Sequence, residues 1–105
     1  MPKVTEQQRY LTRGIANKIE PLIQLYLWEL IDERKNKGEE VDYFQIFDLS
    51  VETQDGKAMQ KIVHRQEEPE YSCVHYLNCI SKPITCKIWV IDSSEYWTML
   101  FPEEY

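Results

Sequence analysis

The side chains best suited to chemistry in this sequence are two histidines and three cysteines in its second half. They are His64, Cys73, His75, Cys79 and Cys86. Thiolate and imidazole groups bind zinc, but structural zinc sites favour paired ligands only a few residues apart. Here successive cysteines are separated by five and by six residues. Because cysteine also packs as a small buried hydrophobe, the pattern predicts core thiols, with neither a metal nor a cofactor.

A cysteine and a histidine can also form a nucleophile–base pair, which requires contact at hydrogen-bond distance. Cys73 and His75 belong to one predicted strand and share one face of it, with their Cβ atoms about 7 Å apart. The sequence holds no G-x-S-x-G element to present a nucleophile beside an oxyanion hole. These features favour a protein that is not an enzyme.

His64 is predicted to lie on the drier face of a β-hairpin, opposite Phe47. A histidine in such a position most often bonds a backbone carbonyl or a carboxylate inside the core. The alternative is that His64 lines a pocket for a small ligand or a reaction, because its ordinary pKa lies near neutrality.

Five carboxylates belong to two short Pro-Glu-Tyr segments, "EEPEY" and "FPEEY". They are Glu67, Glu68, Glu70, Glu103 and Glu104. Paired carboxylates serve acid–base catalysis where their pKa values are driven apart. Both segments follow predicted strands, where water reaches the acids. We therefore interpret them first as strand terminators and second as one composite acidic surface.

The overall charge narrows the classes of partner. Acids outnumber bases by 18 to 12, and the net charge of −6 repels nucleic-acid phosphates and anionic membrane surfaces. Residues 1–105 are long enough for a single domain, in which residues 1–8 are expected to be flexible. The N-terminus has no signal-peptide pattern and no apolar run reaches membrane-spanning length, so we predict a cytoplasmic protein.

The clearest element is a helix over residues 19–38, with a proline in its first turn and a glycine at its end. Its core-facing stripe is predicted to be Ile23, Tyr26, Leu27, Leu30 and Ile31. Leu25 and Trp28 fall on the opposite side, near Glu29 and Asp32. Either the N-terminal part of the chain covers this apolar pair, or the pair belongs to a partner-binding surface.

Strands follow the helix. Asp55-Gly56 is a strong signal for a two-residue hairpin turn, which sets Leu49 opposite Ile62 and Phe47 opposite His64. The face that carries these four side chains is predicted to meet the helix, and the charged face to meet water.

A second hairpin is predicted across Lys82-Pro83, which would put Cys79 opposite Cys86. A last strand spans residues 95–101, and residues 9–15 favour a short strand that ends near Gly14. The predicted fold class is α+β: one main helix packed on an antiparallel sheet of five or six strands, in a hairpin-rich meander.

Several segments together resemble a known family. They are "RYLTRGI", "IQLYLWELID", "VDYFQIFDLSVE", "QKIVHRQEEPEY" and "KIWVID…YWTMLFPEEY". From about residue 9 to its end, the chain resembles the small bacterial proteins of domain of unknown function family 960. The resemblance implies a cytoplasmic protein of Gram-positive bacteria or their mobile elements. It implies no activity, ligand or catalytic residue.

These observations predict a non-enzymatic protein–protein interaction module that binds a protein or a second copy of the chain. Its predicted contact surface is Leu25, Trp28, Glu29 and Asp32. One alternative is an acidic inhibitor or nucleic-acid mimic that presents the five carboxylates to a basic, nucleic-acid-handling protein. A second alternative is a ligand-binding or catalytic pocket near His64. Direct contact with nucleic acid or with a membrane is not expected.

Overall fold

The computed structural model describes residues 8–78 and 80–105. The elements are β1 (Gln8–Leu11), α1 (Arg13–Lys18), α2 (Pro21–Asn36), β2 (Phe44–Gln54), β3 (Lys57–Gln66), β4 (Tyr71–Leu77), β5 (Cys86–Asp92), β6 (Tyr96–Leu100) and a 3₁₀ helix (Pro102–Glu104). The fold is α+β with one main helix on a sheet, which confirms the predicted class. The predicted flexibility of residues 1–8 concerns seven residues that lie outside the described part and Gln8, which begins β1.

The first strand is shorter than predicted because a helix interrupts it. Thr12 has an extended backbone, and its hydroxyl accepts a hydrogen bond from the Ile15 amide at 3.3 Å. That contact caps α1, so β1 ends at Leu11, before Gly14. The main helix α2 begins at the predicted proline and ends before Gly38, whose φ of 77° suits glycine.

The hairpin of β2 and β3 has the predicted register. Leu49 pairs with Ile62 and Phe47 with His64, across a turn in which Asp55 has a φ of 51° and Gly56 a φ of 77°. Two consecutive positive φ angles define the type I′ turn that matches the twist of paired strands. The face that carries Phe47 and Ile62 is buried, as predicted.

The other face of this hairpin is charged, as predicted. Arg65 bonds Asp48 at 2.7 Å and Lys61 lies 3.8 Å from Glu52, so oppositely charged side chains pair across the two strands. Such exposed pairs each contribute little to stability, but they mark this face as the wet one.

The predicted second hairpin is wrong. The sheet order is β1-β6-β5-β2-β3-β4, so β4 pairs with β3 while β5 pairs with β2 on the other side of the first hairpin. Cys86 consequently lies opposite Leu49, and Cys79 falls outside the described residues. Both edges of the β2–β3 hairpin are hydrogen-bonding surfaces, and a strand on each side satisfies both.

A second difference from a simple meander is at the N-terminus, where β1 runs parallel to β6. The helix α2 packs on one face of the resulting six-stranded sheet. The buried core between them includes Ile23, Leu27, Ile31, Phe47, Ile62, Ile88, Val90 and Met99. The chain thus forms two layers, in which β1 and β4 are the edges of the sheet.

Candidate functional site

Trp28 does not lie on an exposed face, so that part of the predicted contact surface is corrected. Its side chain is 8% exposed and belongs to the buried core cluster. The Arg9 guanidinium of β1 stacks 4.8 Å from the indole centroid and also pairs with Asp32. The N-terminal strand therefore covers Trp28, because the parallel contact with β6 brings β1 to this flank of α2. Leu25 is 63% exposed, and Glu29 is exposed as well.

The two acidic segments do not lie together. Glu67, Glu68 and Glu70 occupy the turn between β3 and β4, whereas Glu103 and Glu104 belong to the 3₁₀ helix after β6. In the sheet, β3 pairs with β2, β2 with β5 and β5 with β6, and each of these pairings is antiparallel. Three antiparallel pairings lie between β3 and β6, so these two strands run in opposite directions. Their C-terminal ends, which the acidic segments follow, therefore lie at opposite ends of the sheet.

Glu104 links the C-terminal 3₁₀ helix to the start of α1 through hydrogen bonds. Its carboxylate accepts hydrogen bonds from the Thr12 hydroxyl at 2.6 Å, the Phe101 amide at 2.9 Å and the Gly14 amide at 3.2 Å. The Thr12 bond is the main reason that the pKa of Glu104 is lowered. A Cβ on Gly14 would stand 2.4 Å from the carboxylate, so glycine is the residue that permits this contact.

The two tyrosines of these segments also have different surroundings. Tyr71 is partly buried beneath the Arg34 guanidinium, 3.6 Å from its ring centroid, whereas Tyr105 is 84% exposed. Burial raises the pKa of Tyr71, and a hydrogen bond with Cys73 adds to the rise. The likeness of the two segments in sequence therefore does not reflect one shared environment.

His64 is a core histidine with no exposed surface, and its buried Nδ1 atom has no hydrogen-bond partner among the described residues. Its ring stacks on Phe47 at 4.4 Å, and its Nε2 atom lies 2.6 Å from the Oε1 atom of Gln45. Burial lowers the pKa of His64 to about 3, and the positive charge of Arg34 and the proximity of His75 add to the shift. The ring is therefore neutral near pH 7, and Nε2 carries the proton that it donates to the amide oxygen.

A buried chain of polar side chains extends from His64 to the end of α2. The Oε1 atom of Gln66 accepts from Arg34 at 2.7 Å, from Gln45 at 2.8 Å and from the Asp42 amide at 3.1 Å. The Gln66 amide nitrogen in turn donates to the carbonyl of Pro69 at 2.8 Å. This network joins α2, β2, β3 and the turn before β4. The region near His64, where the sequence allowed a ligand pocket, is therefore filled by hydrogen-bonded side chains that connect these elements.

Neither a cluster of metal ligands nor an activated Cys86 thiol is present among the described residues. Among residues 8–78 and 80–105, no three histidine, cysteine or acidic side chains are grouped to hold one metal ion. Burial and the nearby Glu103 raise the pKa of Cys86 to about 11, which leaves this thiol protonated and weakly nucleophilic. Cys73 lies opposite His64 in the β3–β4 ladder, on the helix-facing side of β4.

The feature that stands apart is the outer edge of β4, the last strand of the sheet. In a hairpin with a two-residue turn, the residues that flank the turn are hydrogen-bonded to each other, and bonding alternates from there. Applied along β3 and then β4, this alternation directs the backbone groups of Cys73 and His75 towards β3. The amide and carbonyl groups of Ser72, Val74 and Tyr76 consequently point outward from the sheet.

This edge lacks the features that usually prevent strands from adding to it. Natural edge strands are commonly short, or carry charges, prolines or bulges. The seven residues of β4, "YSCVHYL", contain no charged residue and no proline, and their pairing with β3 is continuous. The opposite edge, β1, is four residues long and contains Arg9.

A groove opens beside this edge, between β4 and α2. It has a volume of about 540 Å³ and is lined by Tyr26, Glu29, Leu30, Asp32, Glu33, Asn36 and His75. The rings of Tyr26 and His75, which both line it, meet edge-on with their centroids 6.1 Å apart. Burial raises the pKa of Tyr26, followed by the charges of Glu33 and Glu29. The groove is therefore acidic and has an aromatic wall.

His75, which lines this groove, also has an unsatisfied polar atom. Its Nε2 atom is buried and has no hydrogen-bond partner among the described residues. Burial lowers the pKa of His75, against the opposing effect of Glu33. The sequence reasoning missed this site because it paired β4 with β5, which would have hidden both edges of β4. The signal in the sequence is the absence of charge across residues 71–77.

The protein is a two-layer α+β protein with an open, uncharged edge strand, β4. The chain belongs to the family described as "Staphylococcal protein of unknown function (DUF960)", whose model matches residues 8–104. This confirms the resemblance noted in the sequence. No curated protein matches the chain.

The fold is shared with a solved structure, the crystal structure of the protein of unknown function from Enterococcus faecalis. The TM-score is 0.73 and the sequence identity is 22%, over 94% of this chain and 91% of that chain. Among the described residues, no helix has the length and apolarity needed to cross a bilayer.

Proposed function

We propose that this protein is a non-enzymatic protein-binding module that takes an extended segment of a partner protein onto the outer edge of β4. The observation that carries the proposal is the outer edge of β4. Three of its residues direct their amide and carbonyl groups outward, and the strand has no charged side chain that would oppose the addition of another strand. Addition of a strand to an exposed sheet edge is a recurrent mode of peptide recognition, in which the backbone bonds supply affinity.

The proposal moves the contact surface from the one predicted in the sequence. Trp28 is buried, and Asp32 is paired with Arg9. Neither side chain is therefore free to contact a partner in the way that the sequence predicted. Leu25 and Glu29 remain exposed on α2, and Glu29 lines the groove beside β4. The surface that supports binding is thus β4 with the neighbouring side of α2.

The occupant that we propose is a different protein, and charge is the reason. Two copies that paired antiparallel through β4, about a two-fold axis perpendicular to the sheet, would place both α2 helices on the same face of a continuous sheet. The acidic groove of each copy would then face that of the other, and like charges at such a junction oppose association. A cytoplasmic location is part of the proposal, since that compartment keeps thiols such as Cys73 reduced.

The alternatives from the sequence have less support. An acidic mimic that uses all five carboxylates would need them on one surface, and they lie at opposite ends of the sheet. A ligand pocket at His64 would need access to a side chain that has no exposed surface.

The test uses peptides selected from a display library of random dodecamers against the full chain. Val74→Pro removes an outward amide of β4 without removing a bond to β3, whereas Val74→Ala removes the side chain and keeps that amide. We expect Val74→Ala to bind selected peptides within about threefold of the unchanged protein, and Val74→Pro to lose at least about tenfold. Circular dichroism and thermal unfolding establish that both variants are folded.

Two results would overturn the proposal. One is equal affinity of the selected peptides for Val74→Pro and Val74→Ala. The other is the failure of selection to enrich any peptide, including the case in which sedimentation shows that the protein dimerises through β4 and so occupies the edge itself.

A further inference from the structure

The groove beside β4 indicates the chemistry of the segment that binds there. We infer that the partner segment carries a lysine or arginine whose side chain enters the groove between β4 and α2, next to Glu29 and Glu33. The inference rests on the proposed function, because it requires an added strand on β4, and it specifies the class of partner: an extended, basic segment.

The geometry of strand addition brings side chains to this place. An added strand lies about 4.8 Å beyond β4, and its successive side chains point alternately to the two faces of the sheet. Those on the helix-facing side extend the row formed by Cys73 and His75. They therefore point into the space beside α2, where the groove of about 540 Å³ lies open.

Two acids of the groove have no cationic partner at ion-pair distance among the described residues. Glu29 and Glu33 stand one helical turn apart on α2, and neither forms an ion pair with any described residue. Asp32 differs because Arg9 is its partner. Like charges at this spacing destabilise a helix slightly, so a cation placed between them relieves a repulsion as well as making new contacts.

The other walls of the groove suit the stem and head of a basic side chain. Tyr26 presents an aromatic ring, which attracts a cation over its face and packs against a methylene stem. The imidazole of His75 also lines the groove, and because burial lowers its pKa the ring is neutral near pH 7 and does not repel a cation. A carboxylate ligand would find no positive charge among the lining residues.

Matched charge variants test the inference. Glu29→Gln with Glu33→Gln removes two charges from the groove, and Asp55→Asn with Glu95→Gln removes two from exposed turns elsewhere. We expect the peptides selected on the unchanged protein to be enriched in lysine or arginine. We expect their affinity to fall at least about tenfold for the groove variant and to stay within about twofold for the turn variant. Added salt should weaken binding to the unchanged protein more than to the groove variant.

The outcomes separate this inference from the proposed function. Selected peptides without an excess of basic residues, or with equal affinity for both charge variants, overturn the inference; if Val74→Pro still abolishes their binding, the proposed function stands. If Val74→Pro binds them as well as Val74→Ala does, both fail. Amide chemical shifts at Ser72 to Tyr76 in labelled protein locate the peptide, and shifts confined to another surface also overturn both.

Discussion

His64 illustrates how far a single residue can be understood from sequence. The Asp55-Gly56 turn places it opposite Phe47, and the structure stacks the two rings at 4.4 Å. Its partner Gln45 is the next residue on the same face of β2, two residues before Phe47 and farther from the turn. The register therefore predicts that His64 is buried. Its hydrogen-bond partner, in contrast, depends on the conformations that long side chains adopt within the core.

Acid should destabilise the protein through His64. The unfolded chain has an ordinary histidine pKa near 6.5, and burial lowers the pKa of His64 to about 3 in the folded state. As the pH falls below 6.5, His64 binds a proton in the unfolded state but stays neutral in the folded state. The free energy of unfolding therefore decreases between about pH 6.5 and about pH 3. Between about pH 8 and pH 5 we expect the free energy of unfolding to drop by about 2 kcal/mol, measured by urea denaturation.

The control for this prediction is His64→Gln, whose amide nitrogen can donate to Gln45 in place of Nε2. This variant should lose most of the acid sensitivity, while His75→Gln should keep most of it, because His75 is less buried. An unchanged pH dependence in His64→Gln would show that another group is responsible.

At the scale of elements, α2 shows the limit of helical periodicity. The stripe of Ile23, Leu27 and Ile31 faces the sheet, as predicted. Trp28 stands about 100° from Leu27 around the helix axis, on its flank. A flank is covered or bare according to which strand lies beside it, and the strand here is β1, from a distant part of the chain.

Trp28→Ala is expected to destabilise the fold. Truncation of a buried tryptophan leaves a cavity and loses the contact with Arg9, so we expect a loss of about 3 kcal/mol in the free energy of unfolding. Leu25→Ala, three residues away on the exposed side of the same helix, should cost less than about 0.5 kcal/mol. Chemical denaturation of the two variants measures the difference; equal, small effects would show that Trp28 is not part of the core.

For the whole molecule, the decisive feature is the connection from β4 to β5, which passes from one side of the β2–β3 hairpin to the other. The buried amide of Gln60 fixes it in place. Its Nε2 atom donates to the Ile84 carbonyl at 2.9 Å, and its Oε1 atom accepts from the Ile84 amide at 2.8 Å. A glutamine in β3 thus satisfies both backbone groups of a residue that belongs to neither strand.

Gln60→Leu should loosen this connection. It leaves the Ile84 amide and carbonyl without partners in a partly buried place, at an expected cost of about 2 kcal/mol. Hydrogen exchange at the Ile84 amide should accelerate more than exchange in β2 and β3. Gln54→Leu, at the exposed end of β2, is the control and should leave exchange at Ile84 unchanged. If exchange at Ile84 is also unchanged in Gln60→Leu, the glutamine does not hold the connection.

Features that depend on a few neighbouring residues could be predicted from the sequence: the bounds of α2, the type I′ turn, the register of β2 with β3, and the separation of a dry face from a charged one. Each follows from local backbone preference or from a period of side chains. The tertiary structure decided which strands are neighbours, because several pairings bury similar apolar surfaces and differ only in contacts between distant segments. That choice covers Trp28 with β1, separates the two acidic segments, and leaves β4 open beside an acidic groove.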